Sequence, residues 1–278
     1  MDTLRRFLFE DLDIRGALVS LGHVWHELQA ERDLPPPVTA LLGELAAVAA
    51  LIAGNLKTPG RITLQLQGRG LVSLLLVDCD EQLRLRGMAR LRKDSAVPPA
   101  PSFQDLIGEG QLVLTLDTQG KTPYLSIVPL VGASLSEVFA HYLAQSEQLP
   151  AWLLLGANDD FAAGLFLQKL PNADRRDPDG WNRVLHLAAT VTPAELTGPT
   201  ANLLMRVFAE EDIRLFNPRP VSYHCPRDEG KVLAMLQSLG KEELEATLAA
   251  EGGIHVEDEI CRQSYRFGPE IIRRLFDQ

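Results

Sequence analysis

Ile62, Leu64 and Leu66 alternate with Thr63, Gln65 and Gln67, so an extended segment here has one apolar and one polar face. That period of two predicts a half-buried strand. Gly68-Arg69-Gly70 then makes a turn, and residues 71–77 continue as a more fully apolar strand. Leu83, Leu85 and Leu91 alternate with arginines in a third strand. Leu112, Leu114 and Leu116 repeat the pattern in a fourth, before a turn at residues 118–121. Residues 153–155 and 164–170 read as a hairpin across Asn158-Asp159-Asp160. Strands that follow one another through short turns pair antiparallel rather than through crossover helices.

Helical signals flank these strands. The most apolar stretch, 38–57, is interrupted by Glu44 and Asn55. Its charge-free centre, 45–53, is too short to span a bilayer, so it reads as a buried core helix. Ser134 and Glu137 have capping-box spacing before a helix reaching Ser146, and Pro150 prevents its continuation. Thr192, Pro193 and Glu195 open a short helix that Gly198-Pro199 ends, and another covers 201–210. Farther on, 227–239 and 241–251 read as two helices punctuated by Gly240. A strand near 254–256, a second around Tyr265 and a final helix after Gly268-Pro269 complete the chain.

The pattern is that of an α+β protein in three regions. Residues 1–172 form an antiparallel-sheet domain with flanking helices. Residues 173–217 open with a polar run and continue as short helices broken by Pro and Gly, a helical linker. Residues 218–278 form a small α+β domain, marginal in core size without a staple.

Composition narrows the function. A formal net charge of -10 over 278 residues disfavours nucleic acid as the main partner. Arg84, Arg86 and Arg90 make a local basic face that reads as solvated surface. Arg5, Arg6, Glu10 and Asp11 interrupt any early apolar run, so no signal peptide and no membrane partner are expected. Three cysteines are too few for a secreted disulfide framework, and a reducing cytoplasm fits them.

Enzyme signatures are nearly absent, and no catalytic residue is assigned. Gly68-Arg69-Gly70 echoes a dinucleotide loop, but a strand rather than a helix follows it, which makes it a hairpin turn. His23 and His26 could share a helix face without a converging carboxylate or thiol. Cys79 ends an apolar strand and reads as a small core residue. The informative cluster is Tyr223-His224-Cys225 with Asp258-Glu259-Ile260-Cys261. Zinc wants four ligands in a tetrahedron, and His224, His255 and Asp258 are the residues that could join the two thiols. Neighbouring His224 and Cys225 point to opposite faces of a strand, and a carboxylate is a hard ligand. A Cys225–Cys261 disulfide would close a loop of about 37 residues and restrict the unfolded chain by roughly 4 kcal/mol. Two reduced, buried cysteines are the third state that spacing leaves open.

At these residues the chain resembles the heat shock protein 33 family. The likeness runs through Arg6-Phe7-Leu8-Phe9-Glu10, Arg15-Gly16, Gly43-Glu44-Leu45, Ile62 to Gly68 and Arg86-Gly87-Met88-Ala89-Arg90. It continues in Ser146-Glu147-Gln148-Leu149-Pro150, Ala162-Ala163-Gly164, and Glu210-Glu211-Asp212 to Phe216-Asn217-Pro218. The resemblance implies a substrate-binding α+β domain, a metastable linker and a C-terminal zinc redox switch. In such proteins four thiolates hold zinc; oxidation ejects it, unfolds the switch, and leads to dimerisation and client binding. The four ligand positions fall here on Tyr223, Cys225, Asp258 and Cys261, so each pair has lost its first cysteine. No metal is therefore favoured, although zinc is what the family pattern carries.

Three outcomes are open for the third region. It folds without metal on Val232, Leu233, Leu236, Ile254, Tyr265 and Phe267; or Cys225 and Cys261 form one cross-pair disulfide; or heat alone regulates the chain. The first is preferred. The implied function is that of an ATP-independent holdase for unfolding client proteins, active as a homodimer, with redox control weakened or lost. A non-chaperone scaffold that kept the fold is the alternative.

Overall fold

A sheet covered on one face writes a period of two into its sequence, whereas a sheet covered on both faces does not. The structure, a computed structural model, contains both kinds. It describes residues 2–30, 32–56, 58–92, 98, 100–118 and 122–276. Its strands are β1 (Thr3–Phe9), β2 (Ile14–Leu21), β3 (Gly60–Gly68), β4 (Val72–Asp80), β5 (Arg84–Leu91), β6 (Gly110–Thr118), β7 (Tyr124–Val128), β8 (Ala151–Ala157), β9 (Ala162–Lys169), β10 (Ile213–Leu215), β11 (Arg219–Pro220), β12 (Ser222–Tyr223), β13 (Ile254–Asp258) and β14 (Gln263–Phe267). The helices are α1 (His23–Gln29), α2 (Pro36–Gly54), α3 (Phe103–Ile107), α4 (Leu135–Ser146), α5 (Ala173–Arg176), α6 (Gly180–Ala188), α7 (Thr200–Val207), α8 (Glu229–Leu239), α9 (Lys241–Glu251) and α10 (Ile271–Phe276). A 3-10 turn covers Pro193–Thr197.

The chain divides into two units, Met1–His224 and Cys225–Gln278. The boundary expected at residue 217 thus falls later. The reason is pairing: Leu4 faces Arg219 through β11, and Ser222 and Tyr223 of β12 run beside Arg84 and Leu85. Residues 173–217, read as a connector, pack within the first unit, and β10 adds to β1 through Phe7↔Leu215.

One sheet of the first unit has the order β10-β1-β2-β9-β8, with β11 also on β1; the other runs β12-β5-β4-β3-β6-β7. Among the described residues every strand pair is antiparallel, as expected, except the two-residue pair β12–β5, which is parallel. The α2 helix packs against strands of both sheets. Nineteen residues long and apolar enough to cross a membrane, it is nevertheless mostly buried within the protein, as a core helix should be. Its expected end at Lys57 lies outside the described residues, as does most of the turn at 118–121. Gly43 lets α2 approach β8: a Cβ there would lie 2.5 Å from that of Ala157. Burial lifts the Glu44 carboxyl to about 7.

The second sheet buries Ile62, Leu64, Leu66, Val77, Leu112 and Leu114 in the core that α2 shares, and leaves Thr63 and Gln65 at the alternate positions half-buried. Leu83, expected within a strand, sits in the preceding turn with φ 59 and is fully buried. The Asp80 carboxylate holds that turn by accepting the N–H groups of Gln82 and Arg84, both at 3.0 Å. The Arg84 and Arg86 guanidiniums are not merely solvated: they pair with Asp80 at 2.7 Å and Asp78 at 2.8 Å. At α4, Ser134 accepts the Glu137 N–H, while Glu137 reaches back to the N–H of Ala133 rather than that of Ser134.

Candidate functional site

The first sheet separates two apolar layers. Ala17, Val19 and Leu21 of β2 face the core around α2, while Ile14 and Leu18 face the other way. On that second face Phe7, Phe9, Leu165 and Leu167 meet Val184, Ala188, Leu196, Leu203, Leu204 and Phe208. The cover is therefore residues 180–208, whose amphipathic helices α6 and α7 turn their apolar sides to the sheet. Phe208 anchors it edge-to-face on Phe9, with ring centroids 5.0 Å apart.

Charged groups fasten the rim of this cover. Arg183 donates to Asp177 at 2.9 Å and to Glu211 at 2.7 Å, and those bonds raise its pKa. Glu195 accepts the Thr192 N–H at 2.7 Å and its hydroxyl at 2.9 Å, completing the expected capping box. It also accepts from Arg206 at 2.6 Å. The Thr192 bonds, then that from Arg206, hold its carboxyl down at about 2. Sequence reading found the box but not Arg183, whose partner Glu211 lies 28 residues away.

The cysteine pair lies in the second unit. Its frame is the β13–β14 hairpin, in register from Ile254↔Phe267 to Asp258↔Gln263, packed with α8, α9 and α10. Val232, Leu236, Leu244, Ile254, Tyr265 and Ile271 are its buried residues, with Leu233 and Phe267 partly buried against them. All six residues expected to make a metal-free core thus belong to it. Asp228 caps α8 by accepting the Lys231 N–H at 3.0 Å, and Gly252 ends α9 at φ 74.

Cys225 and Cys261 are joined in a disulfide, with Cα atoms 5.4 Å apart and a sequence separation of 36. A polar network surrounds the bond. Asp258 Oδ1 accepts the N–H of Ile260 at 2.9 Å and of Cys261 at 3.2 Å, fixing the turn that presents Cys261. Gln263 Nε2 donates to the Cys225 carbonyl at 2.9 Å, and its Oε1 accepts from the Tyr265 hydroxyl at 3.0 Å. That hydroxyl accepts the Asp228 N–H at 3.1 Å, and the Arg227 guanidinium stands 4.7 Å from the Tyr265 ring centre. Sequence reading counted Tyr265 as core only and missed Gln263 and Asp228. Register could have placed Gln263, since a hairpin closing at Asp258 sets it directly opposite.

The donor set does not fit a zinc ion held in the family manner. The two sulfurs are bonded to each other, so neither is a thiolate. One Asp258 oxygen already accepts two backbone N–H groups. Tyr223 belongs to the first unit, where β12 lies beside β5, and the His224 N–H donates to Leu85 O at 2.9 Å. His255 is exposed on β13. Among the described residues no three His, Cys, Asp or Glu side chains converge as a metal site.

The remaining candidates are ordinary. His23 faces Glu27 at 3.8 Å and His26 faces Gln29 at 3.3 Å on α1. Gly68-Arg69-Gly70 closes the β3–β4 hairpin, with the Gly70 N–H donating to Ile107 O at 2.8 Å. Cys79 is a free, fully buried thiol whose pKa is raised by burial first and by Asp80 next.

Comparison with known proteins agrees over the full length. The family model described as Hsp33 protein matches residues 2–268. A protein named 33 kDa chaperonin from Nitrosococcus oceani is 40% identical over 278 residues, covering 100% of this chain and 95% of its own. The 33 kDa chaperonin of Pseudomonas aeruginosa is 38% identical over 281 residues, covering 99% and 94%. A crystal structure of the 33 kDa chaperonin of Thermotoga maritima superposes with a TM-score of 0.84 at 24% identity, covering 100% of this chain and 98% of that one. The last likeness establishes the α+β fold.

Proposed function

The chain belongs to the Hsp33 protein family, which are chaperones and not enzymes, and from that premise we propose an ATP-independent holdase that captures unfolding proteins. Its clients are polypeptides exposing apolar segments under heat or oxidative stress, in the cytoplasm, with neither nucleic acid nor membrane as partner. Activation by oxidative release of a metal is weakened or lost, because two of the four family cysteine positions are Tyr223 and Asp258. The active form is a homodimer.

The observation that carries this reading is the doubly covered sheet. One of its faces, with Phe7, Phe9, Leu18, Leu165 and Leu167, is roofed by short helices rather than by a second sheet. Short helices are marginal by themselves and depend on tertiary packing, so this cover is the layer that heat loosens first. Its release exposes a broad apolar surface without any nucleotide chemistry.

Light scattering of a thermolabile client enzyme tests the proposal. Equimolar chain suppresses aggregation on heating, and ATP changes nothing; undiminished scattering overturns it. A scaffold that kept the fold is the competing reading, favoured by the degenerate cysteine pairs, and that second outcome would support it. Sedimentation of the chain before and after heating reads the dimer.

A further inference from the structure

We propose that the Cys225–Cys261 bond and the Asp258 turn together replace a structural metal, so that oxidation locks the second unit and reduction loosens it. This deepens the redox clause of the proposed function, with a polarity opposite to activation by oxidation.

The geometry assigns each part a task. Cys225 is the first residue of the unit, and Cys261 lies in the loop that closes its hairpin. The bond between them fastens the entering chain to the far end of β13, a contact that no strand pairing supplies. Asp258 stands three residues before Cys261 and holds two N–H groups of the loop on one negatively charged oxygen. Charge-assisted bonds of this kind keep a tight turn folded without an ion. Gln263 and the Tyr265 hydroxyl then carry the connection from the Cys225 carbonyl to the Asp228 N–H at the start of α8. A unit with six buried apolar side chains among its described residues needs such a staple.

The chemistry balances without metal. The two thiols lose two protons and two electrons as their S–S bond forms. A small-molecule disulfide takes both, its own S–S bond breaking to give two thiols. Cys79 takes no part, being buried in the first unit.

Thermolysin cleavage of the full chain, mapped by mass spectrometry in glutathione disulfide and in reduced glutathione, reads the result directly. Cleavage within residues 225–278 is expected to be at least ~30-fold faster after reduction, with residues 1–224 unchanged. Denatured samples should show one free thiol in the first buffer and three in the second, given three cysteines in all. The double variant C225S/C261S should be cut at the reduced rate in both buffers. Asp258→Ala should quicken cleavage of the oxidised chain by ~3- to 10-fold, with Asp258→Asn partly restoring it. Equal cleavage in both buffers, faster cleavage after oxidation, or a slowly cut reduced chain holding one zinc would each overturn the proposal. Client scattering is not read, so this experiment and the holdase test fail independently.

Discussion

The cover on the first sheet and the second unit are two small apolar assemblies held in different ways. The cover joins fifteen buried side chains among the described residues, spread over strands and short helices, and has no covalent tie. The second unit has six such side chains and a disulfide. Apolar packing with a charged rim fails cooperatively as temperature or pH moves. A cross-linked unit fails when its bond is reduced. One chain therefore carries one layer addressed by heat and another addressed by thiol chemistry.

The largest expected effect comes from Phe208→Ala. Removing the ring that meets Phe9 should cost the first unit about 3–5 kcal/mol and increase client capture at moderate temperature. Urea unfolding followed by tryptophan fluorescence, alongside scattering, measures both. Next is reduction of Cys225–Cys261, worth up to about 4 kcal/mol to the second unit and nothing to the first. Calorimetry in both redox buffers checks it, and a shift shared by both units would erase the distinction. Arg183→Met should destabilise the cover by only about 1 kcal/mol, since 38% of its side chain is exposed and water screens the pairs. The smallest effect is acid sensitivity. Glu195 falls from an ordinary 4.5 to about 2 in the folded chain, so its ionised form favours folding. Its stabilisation is complete above pH 4.5 and fades as pH falls toward 2; Glu195→Gln should abolish that part of the acid response, read by the same fluorescence.

Legibility in the sequence followed coverage. β3 packs against α2 on one side and carries the half-buried Thr63 and Gln65 on the other, so Ile62, Leu64 and Leu66 announce themselves by period. In β2 the neighbours Leu18 and Val19 are both fully buried, on opposite faces, and the alternation vanishes. That is why β1 and β2 were not legible as strands, although their residues carried much of the family likeness. β10, β11 and β12 span three, two and two residues, too short for any period. In the second unit the helix pair, the hairpin and the core were all readable. The network around the disulfide was not, because Gln263, Tyr265 and Asp228 meet only once the hairpin has closed.

Cys79 gives this molecule a clock. Its thiol sits at zero exposure near the end of β4, and burial keeps it protonated. A thiol reagent can reach it only through openings of the first unit, whatever the state of Cys225 and Cys261. Where reclosing outruns labelling, the rate of modification at Cys79 gives the population of open molecules under native conditions. A wild-type chain with its other two cysteines paired thus reports, at a single sulfur atom, how often its largest core comes apart.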